Sequence, residues 1–393
     1  MRRIDFIHLH PDWPALTWQA PALARLLPEV RHQQGRLLGR MNQLGFDLRQ
    51  TATLDALSAD ALATSAIEGE RLDAAQVRSS VASRLGLPTA GLPAPSRDVE
   101  GIVHITLDTT RNADQPLTAQ RLFAWHAALF PTGLSHDRPL TVGAWRPASA
   151  GPMQVVSGPM GSERVHFVAP DAARLPGEME RFLAWLNGWP PPAAQPAGPS
   201  AAAELDPLLV AAIAHFWFVT IHPFADGNGR IARAIADLAL ARADGSPDRF
   251  YSMSAQIQAE RREYYLVLER QQRAPTTDIT PWLTWFLSCL LRAIRRADDA
   301  QNAARQAADR WERLNTLPLN PRQRAVLTRM LGPFEGFLNT SKYGKLAKCS
   351  PDTALRDIRE LLTWGVLVRN DAGGRSTSYR LAEPDAPLMS PSA

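Results

Sequence analysis

Twelve consecutive residues bring together the groups that a phosphate chemistry would need: His222-Pro223-Phe224-Ala225-Asp226-Gly227-Asn228-Gly229-Arg230-Ile231-Ala232-Arg233. An apolar helix, Leu208–Ile221, delivers the chain to a histidine followed by proline. Proline disfavours the α conformation at the residue before it, so the helix should stop at His222 and present it. Gly227 and Gly229 bracket Asn228, letting the backbone turn tightly and expose its N–H groups. A glycine-rich turn that feeds a helix N-terminus is an anion site. Arg230 and Arg233 lie three apart, on one helix face beside that anion. Asp226 is a hard oxygen ligand of the kind a phosphate-bound Mg²⁺ takes. His222 can act as a general base near neutral pH. Together they spell a nucleotide polyphosphate, Mg²⁺ and a base. A plain helix junction would require none of these positions.

The stretch resembles the signature of the Fic family, HPFx(D/E)GNGRxxR, without departure. Fic enzymes are protein adenylyltransferases, which move AMP from ATP to a protein hydroxyl. The resemblance implies that His222 deprotonates a Ser, Thr or Tyr hydroxyl, which attacks the α-phosphate. It implies an ATP site made of Phe224, Asp226, Gly227, Asn228, Gly229, Arg230 and Arg233. Asp226 would hold Mg²⁺ on the α and β phosphates, and Gly227, Asn228 and Gly229 would form the anion hole. Arg230 and Arg233 would hold the β and γ phosphates, with pyrophosphate leaving. Such catalysis works by positioning and charge neutralisation.

Thr64-Ser65-Ala66-Ile67-Glu68-Gly69 is the second feature. A glutamate in the last turn of a helix opposes the macrodipole and needs a cation or full exposure. Gly69 ends the helix. The segment is similar to the family's inhibitory motif, (S/T)xxxE(G/N), with Thr64, Glu68 and Gly69 matching. The resemblance implies that Glu68 pairs with Arg233, displaces the γ-phosphate and inhibits in cis. It leaves open a second activity, removal of AMP, because a glutamate can orient water.

The elements that must position these residues are mostly helical, and the expected class is mainly α. Helical periodicity predicts two helices over 20–57, a third over 58–68, and others at 97–112, 118–130, 171–187, 206–221, 228–243, 254–271 and 279–311. Pro and Gly mark a loop at 86–95, and the proline-rich stretch 187–203 should be an irregular connection. Two β-prone runs, Met153–Val156 and Val165–Val168, predict a hairpin over 152–168. It resembles the Fic flap, which pairs with an extended segment of the target protein. The resemblance also sets Tyr264 and Tyr265 near the adenine. Trp282 and Trp285 are expected in the core, and His215 as a packed histidine. The wider stretch 10–300, with its QGRLLGRM, SAIEGE and GPMQVVSGP segments, resembles bacterial Fic proteins that carry a C-terminal appendage.

The 393 residues are 45% hydrophobic and 21% charged, which excludes wholesale disorder. Two cysteines, Cys289 and Cys349, exclude a disulfide scaffold. The N-terminus has no apolar signal region, and no run approaches the ~18 residues of a membrane span. The expectation is a cytoplasmic protein. The net charge of +4 is unevenly placed. Residues 321–380 hold eleven Lys or Arg against five acids, a net of +6 that leaves −2 for the rest.

That basic module reads as helices Pro321–Leu331, Thr340–Leu346 and Pro351–Leu362, then strands Val366–Val368 and Ser378–Leu381 around Asp371-Ala372-Gly373-Gly374. This is the order of a winged helix-turn-helix, with Lys342, Lys345, Lys348, Arg356 and Arg359 placed to meet DNA. Asp352, Asp357 and Glu360 would dilute its third helix. The expected organisation is an N-terminal helical region with its inhibitor (1–95), a Fic catalytic domain with a helical core and β-hairpin flap (96–310) and a winged helix (320–385). The expected activity uses ATP and Mg²⁺ on a target protein. The alternative is a DNA-binding regulator whose Fic core senses nucleotide. The family often dimerises, which leaves a homodimer open.

Overall fold

The computed structural model describes residues 6–135, 137–158, 162, 164–188, 205–332, 334, 336–370 and 377–389. The chain divides into two compact units, residues 1–298 and 299–393. The helices of the first are α1 (Ala20–Leu23), α2 (Leu26–Asn42), α3 (Phe46–Ile67), α4 (Ala74–Leu85), α5 (Arg97–Arg111) and α6 (Ala119–Leu129). Hairpins β1 (Leu134–Ser135) with β2 (Arg138–Pro139) and β3 (Gln154–Ser157) with β4 (Arg164–Val168) follow. Then come α7 (Leu175–Asn187), α8 (Pro207–Ile221), α9 (Asn228–Asp244), α10 (Met253–Ala259), α11 (Arg261–Gln272) and α12 (Thr280–Leu314), which begins in the first unit and continues past residue 298.

The centre of the first unit is α8. Asp206 caps it, accepting from the Leu208 N–H, with Pro207 at its first position. Every residue from Leu208 to Ile221 is buried. A helix apolar all round needs neighbours on every side. It packs on α7 and α9, and Trp282 of α12 donates from its indole N–H to the Ala212 carbonyl at 2.8 Å.

Three helical boundaries differ from those expected. Residues 58–67 are not a separate helix; they complete α3, which starts at Phe46 after Gly45. No glycine or proline interrupts 46–67, so nothing breaks the backbone pattern. The helix expected over 254–271 is broken at Glu260 into α10 and α11. The unforeseen α4 is capped by Asp73 and ended by Gly86 in left-handed geometry.

Strands β3 and β4 pair antiparallel, with an irregularity between Val155 and Val156. Their connecting turn lies largely outside the described residues, as do 189–203 of the proline-rich stretch. Strand β4 is tied to α11: Arg273 donates to the carbonyls of Val165 and His166, and Glu269 accepts from His166 and Arg164. All four residues of β3 are exposed. Its other edge pairs with no strand among the described residues.

The second unit holds α13 (Pro321–Leu331), α14 (Thr340–Ala347), α15 (Pro351–Thr363) and the antiparallel pair β5 (Leu367–Arg369) and β6 (Tyr379–Leu381). The glycine turn expected at 371–374 lies outside the described residues. Its core includes Val326, Leu327, Tyr343, Ile358 and Leu361. Asp357 does not dilute the outer face of α15. It is 1% exposed and accepts from Asn320, Arg322 and Tyr343. Glu360 accepts from Gln323. Arg356 and Arg359 remain exposed.

Among the described residues no helix is long and apolar enough to cross a membrane.

Candidate active site

Helix α8 ends at His222, whose backbone is left-handed at φ 53°. That conformation costs a non-glycine residue about 1–3 kcal/mol, so the surroundings must hold it. Arg146 does so. Its Nε donates to the His222 carbonyl and its N–H to the Pro223 carbonyl, both at 2.9 Å, and its Nη2 donates to Pro170. The His222 ring lies 3.1 Å through Nδ1 from the Val219 carbonyl. A carbonyl only accepts, so Nδ1 carries the proton and Nε2 of the neutral ring has the lone pair. Burial, aided by the Arg146 charge, lowers the imidazole to about 4. The ring is therefore an unprotonated base at neutral pH.

The loop beyond it is locked from inside. Asn228 Oδ1 accepts from the Phe224 N–H at 2.9 Å, and its Nδ2 donates to the Phe224 carbonyl at 2.8 Å. Phe224, expected at the ATP site, turns its ring into the core. It stacks on His126 with centroids 4.2 Å apart. Gly227 has φ 79°, and a Cβ there would meet Phe130 at 3.0 Å. Asp226 is half-buried on the loop. Its Oδ1 accepts from the Gly227 N–H at 2.6 Å and its Oδ2 from the Ser135 hydroxyl. The Asp226 carbonyl lies 3.2 Å from His126 Nε2. His126 Nδ1 accepts from the Gly143 N–H, so Nε2 is the donor.

Helix α9 begins at Asn228 with no side-chain cap. Its first turn carries the partial positive charge of a helix N-terminus. The Glu68 carboxylate fills that place, and a Cβ on Gly229 would collide with its Oε1. Glu68 accepts from Arg233 Nη2 at 2.7 Å. Thr64 holds the same guanidinium twice, through its hydroxyl at 2.8 Å and its carbonyl at 2.9 Å. Arg230 is paired too, with Glu70, and its guanidinium sits 5.0 Å over the Phe130 ring. On these two arginines, Nε of Arg230 and Nη1 of Arg233 are buried with no hydrogen-bond partner among the described residues.

The two tyrosines, with ring centroids 5.0 Å apart, differ in their surroundings. Tyr264 is buried, 3.0 Å through its hydroxyl from His215 Nε2, and burial pushes its phenol up. His215 is thus a packed histidine. Tyr265 is partly exposed, and its hydroxyl lies 3.4 Å from the Ile67 carbonyl at the end of α3. Glu70, Ser135, His126 and Arg146 were not among the expected site residues. Their partners between His222 and Arg230 lie 76 to 160 residues away, so no local spacing announces them.

A model of the Fic/DOC family matches residues 116–240, the span that includes His126, Arg146 and the loop from His222 to Arg233. The chain carries a Fic/DOC domain. A second model, described as a domain of unknown function (DUF4172), matches residues 6–87, which hold Thr64, Glu68 and Glu70. The ion pairs on Arg230 and Arg233 therefore join the Fic/DOC match to the segment before it. The chain is similar to the protein adenylyltransferase Fic of Nematostella vectensis, 23% identical over 282 residues, covering 69% of this chain and 57% of that protein. It is also similar to the protein adenylyltransferase Fic of Aedes aegypti, 26% identical over 230 residues, covering 58% and 39%. The chain thus spans about 40 to 57% of the length of these relatives. Among solved structures, a Fic family protein from Desulfovibrio desulfuricans superposes with TM-score 0.51 at 23% identity, covering 94% of this chain and 98% of that one. A Fic domain-containing signalling protein from Bacteroides thetaiotaomicron gives TM-score 0.50 at 20% identity, covering 70% and 97%. These two likenesses establish a shared, mainly helical Fic fold.

Proposed function

We propose that the unit containing the Fic/DOC domain transfers AMP from ATP to a protein hydroxyl and is held in check by Glu68. One observation carries this reading: Arg230 Nε and Arg233 Nη1 are buried beside the N-terminus of α9, one loop from His222, with no hydrogen-bond partner among the described residues. An unsatisfied buried donor costs about 1–3 kcal/mol. Two of them at a helix N-terminus make a place that gains by taking an anion.

In this reading His222 Nε2 takes the proton of a Ser, Thr or Tyr hydroxyl as its oxygen bonds to the α-phosphorus. The bond to the β-phosphate oxygen breaks, and pyrophosphate departs against Arg230 and Arg233. Asp226 offers one carboxylate, and among the described residues no cluster of three or more His, Cys, Asp or Glu forms a ready cage. That suits Mg²⁺, which is usually held by one or two carboxylates plus phosphate oxygens and water. When bound with ATP, the ion would neutralise charge on the α and β phosphates. Glu68 on Arg233 denies the γ-phosphate its cation. The same carboxylate could orient a water for removing AMP. The free edge of β3 suits pairing with an extended target segment.

The test is label transfer from ATP radiolabelled at the α-phosphate. Glu68→Gly should raise self-labelling well above the wild-type level, and His222→Ala should abolish it. Labelling that persists in the Glu68→Gly, His222→Ala double variant overturns the transfer mechanism.

A second reading concerns residues 320–381 as a winged helix that meets DNA. Its support is the inward turn of Asp357 and Glu360, which leaves Arg356 and Arg359 on the outer face of α15, with Lys345 and Lys348 exposed nearby in sequence. Salt-dependent binding of duplex DNA that is lost on deleting residues 320–393 would support it.

A further inference from the structure

Glu68 and Glu70 are presented by one helix cap. Glu68 is the C-cap of α3, and Gly69 follows with φ 90°. The Gly69 N–H donates to the Ala66 carbonyl and the Glu70 N–H to the Ser65 carbonyl, each at 3.1 Å. That pair of bonds is the Schellman motif. It fixes the residues on either side of the left-handed glycine. Here both are glutamates, and they face Arg230 and Arg233 of α9. The Glu70 oxygens accept from Arg230 Nη1 at 2.8 and 2.7 Å.

We propose that Glu70 is a second determinant of nucleotide affinity, occupying Arg230 as Glu68 occupies Arg233. The proposal rests on the nucleotide reading above. Two carboxylates against two guanidinium groups leave the anion site with no net positive charge to offer a polyphosphate. A nucleotide must displace both to use both arginines. The two partners differ in freedom. Arg230 is 6% exposed and held over Phe130, whereas the Glu70 side chain is 36% exposed. Glu70 can swing to water, and Arg230 cannot follow it. Glu70 is therefore the group that leaves, and it acts by competition.

Competition and mere orientation of Arg230 predict opposite signs. If Glu70 competes, Glu70→Gln strengthens ATP binding; if it only orients the guanidinium, the same change weakens it. Calorimetric titration of ATP with Mg²⁺, and of AMP, into the full chain decides. Four proteins are needed: wild type, Glu68→Gly, Glu70→Gln and the double variant. Glu70→Gln should tighten ATP binding roughly tenfold over wild type, the scale of one charge-assisted hydrogen bond. The double variant should bind ATP more tightly than Glu68→Gly alone. AMP, which has no β or γ phosphate to reach Arg230, should bind Glu70→Gln and wild type alike. Unchanged or weaker ATP binding by Glu70→Gln, with the double variant equal to Glu68→Gly, overturns the proposal while leaving the nucleotide reading intact. ATP binding absent from all four proteins overturns both.

Discussion

Arg146 grips the backbone of His222. Its Nε donates to the His222 carbonyl at 2.9 Å, and the same guanidinium reaches the Pro170 carbonyl just past β4. The arginine is buried and forms no ion pair with an acid among the described residues. A buried cation satisfied only by carbonyls is expensive unless its placement matters. Here it holds the left-handed turn that aims the His222 ring, and it ties that turn to the base of the β3–β4 hairpin.

Two substitutions separate the placing of His222 from its electrostatics. Arg146→Lys keeps the charge but loses the fork; Arg146→Gln loses both. Both should lower kcat by roughly ten- to a hundredfold, with the KM for ATP little changed, because the base moves and the phosphate site does not. Nuclear magnetic resonance titration of His222 should show a rise from about 4 in Arg146→Gln, where a nearby positive charge is gone, and little change in Arg146→Lys. An unmoved titration in Arg146→Gln would mean that the arginine charge does not reach the ring.

Gly101 sets how closely α5 approaches α6. A Cβ there would overlap the Ala128 carbonyl oxygen and lie 2.8 Å from its carbon. In an open helix Gly→Ala gains up to about 1 kcal/mol. At Gly101 the obstacle is backbone, which no rotamer change relieves. Gly101→Ala should therefore destabilise the first unit by about 2 kcal/mol or more, read by urea denaturation. The change also displaces α6, which carries His126 against the Asp226 carbonyl, so nucleotide binding should weaken in the fraction that still folds.

What was legible in the sequence was local. Pro223 and the bracketing glycines marked the loop, the unbroken apolar run marked α8, and Gly69 marked the end of α3. Each signal lies within a few residues of what it dictates. The pairings that assemble the site do not: Glu70 is 160 residues from Arg230 and Ser135 is 91 from Asp226. Asp357 is a different case, since its burial was readable. Ala354, Asp357, Ile358 and Leu361 repeat at the spacing of one helix face, and all four are buried. Its charge alone predicts exposure, whereas its place in that repeat dictates burial. The helix junction expected near residue 58 is absent, and α3 runs unbroken from Phe46 to Ile67. No breaker residue lies within α3 to support any division.

Four histidines of the first unit make it acid-sensitive. Burial lowers His8, His126 and His222 to about 4 and His215 to about 3. An unfolded histidine titrates near 6.5. Below that pH the unfolded chain binds protons that the folded chain refuses, so stability falls as pH falls from about 6.5 toward 4. For the wholly buried His126 and His215 the loss at pH 5 is about 2 kcal/mol each. Asp237 and Asp244, whose carboxyls burial pushes up, act in the opposite direction and offset part of this loss. Melting temperatures measured between pH 7.5 and 5 should therefore drop steadily, and His215→Gln should flatten the slope by one proton. A melting temperature independent of pH across that window would show that these rings accept protons in the folded chain.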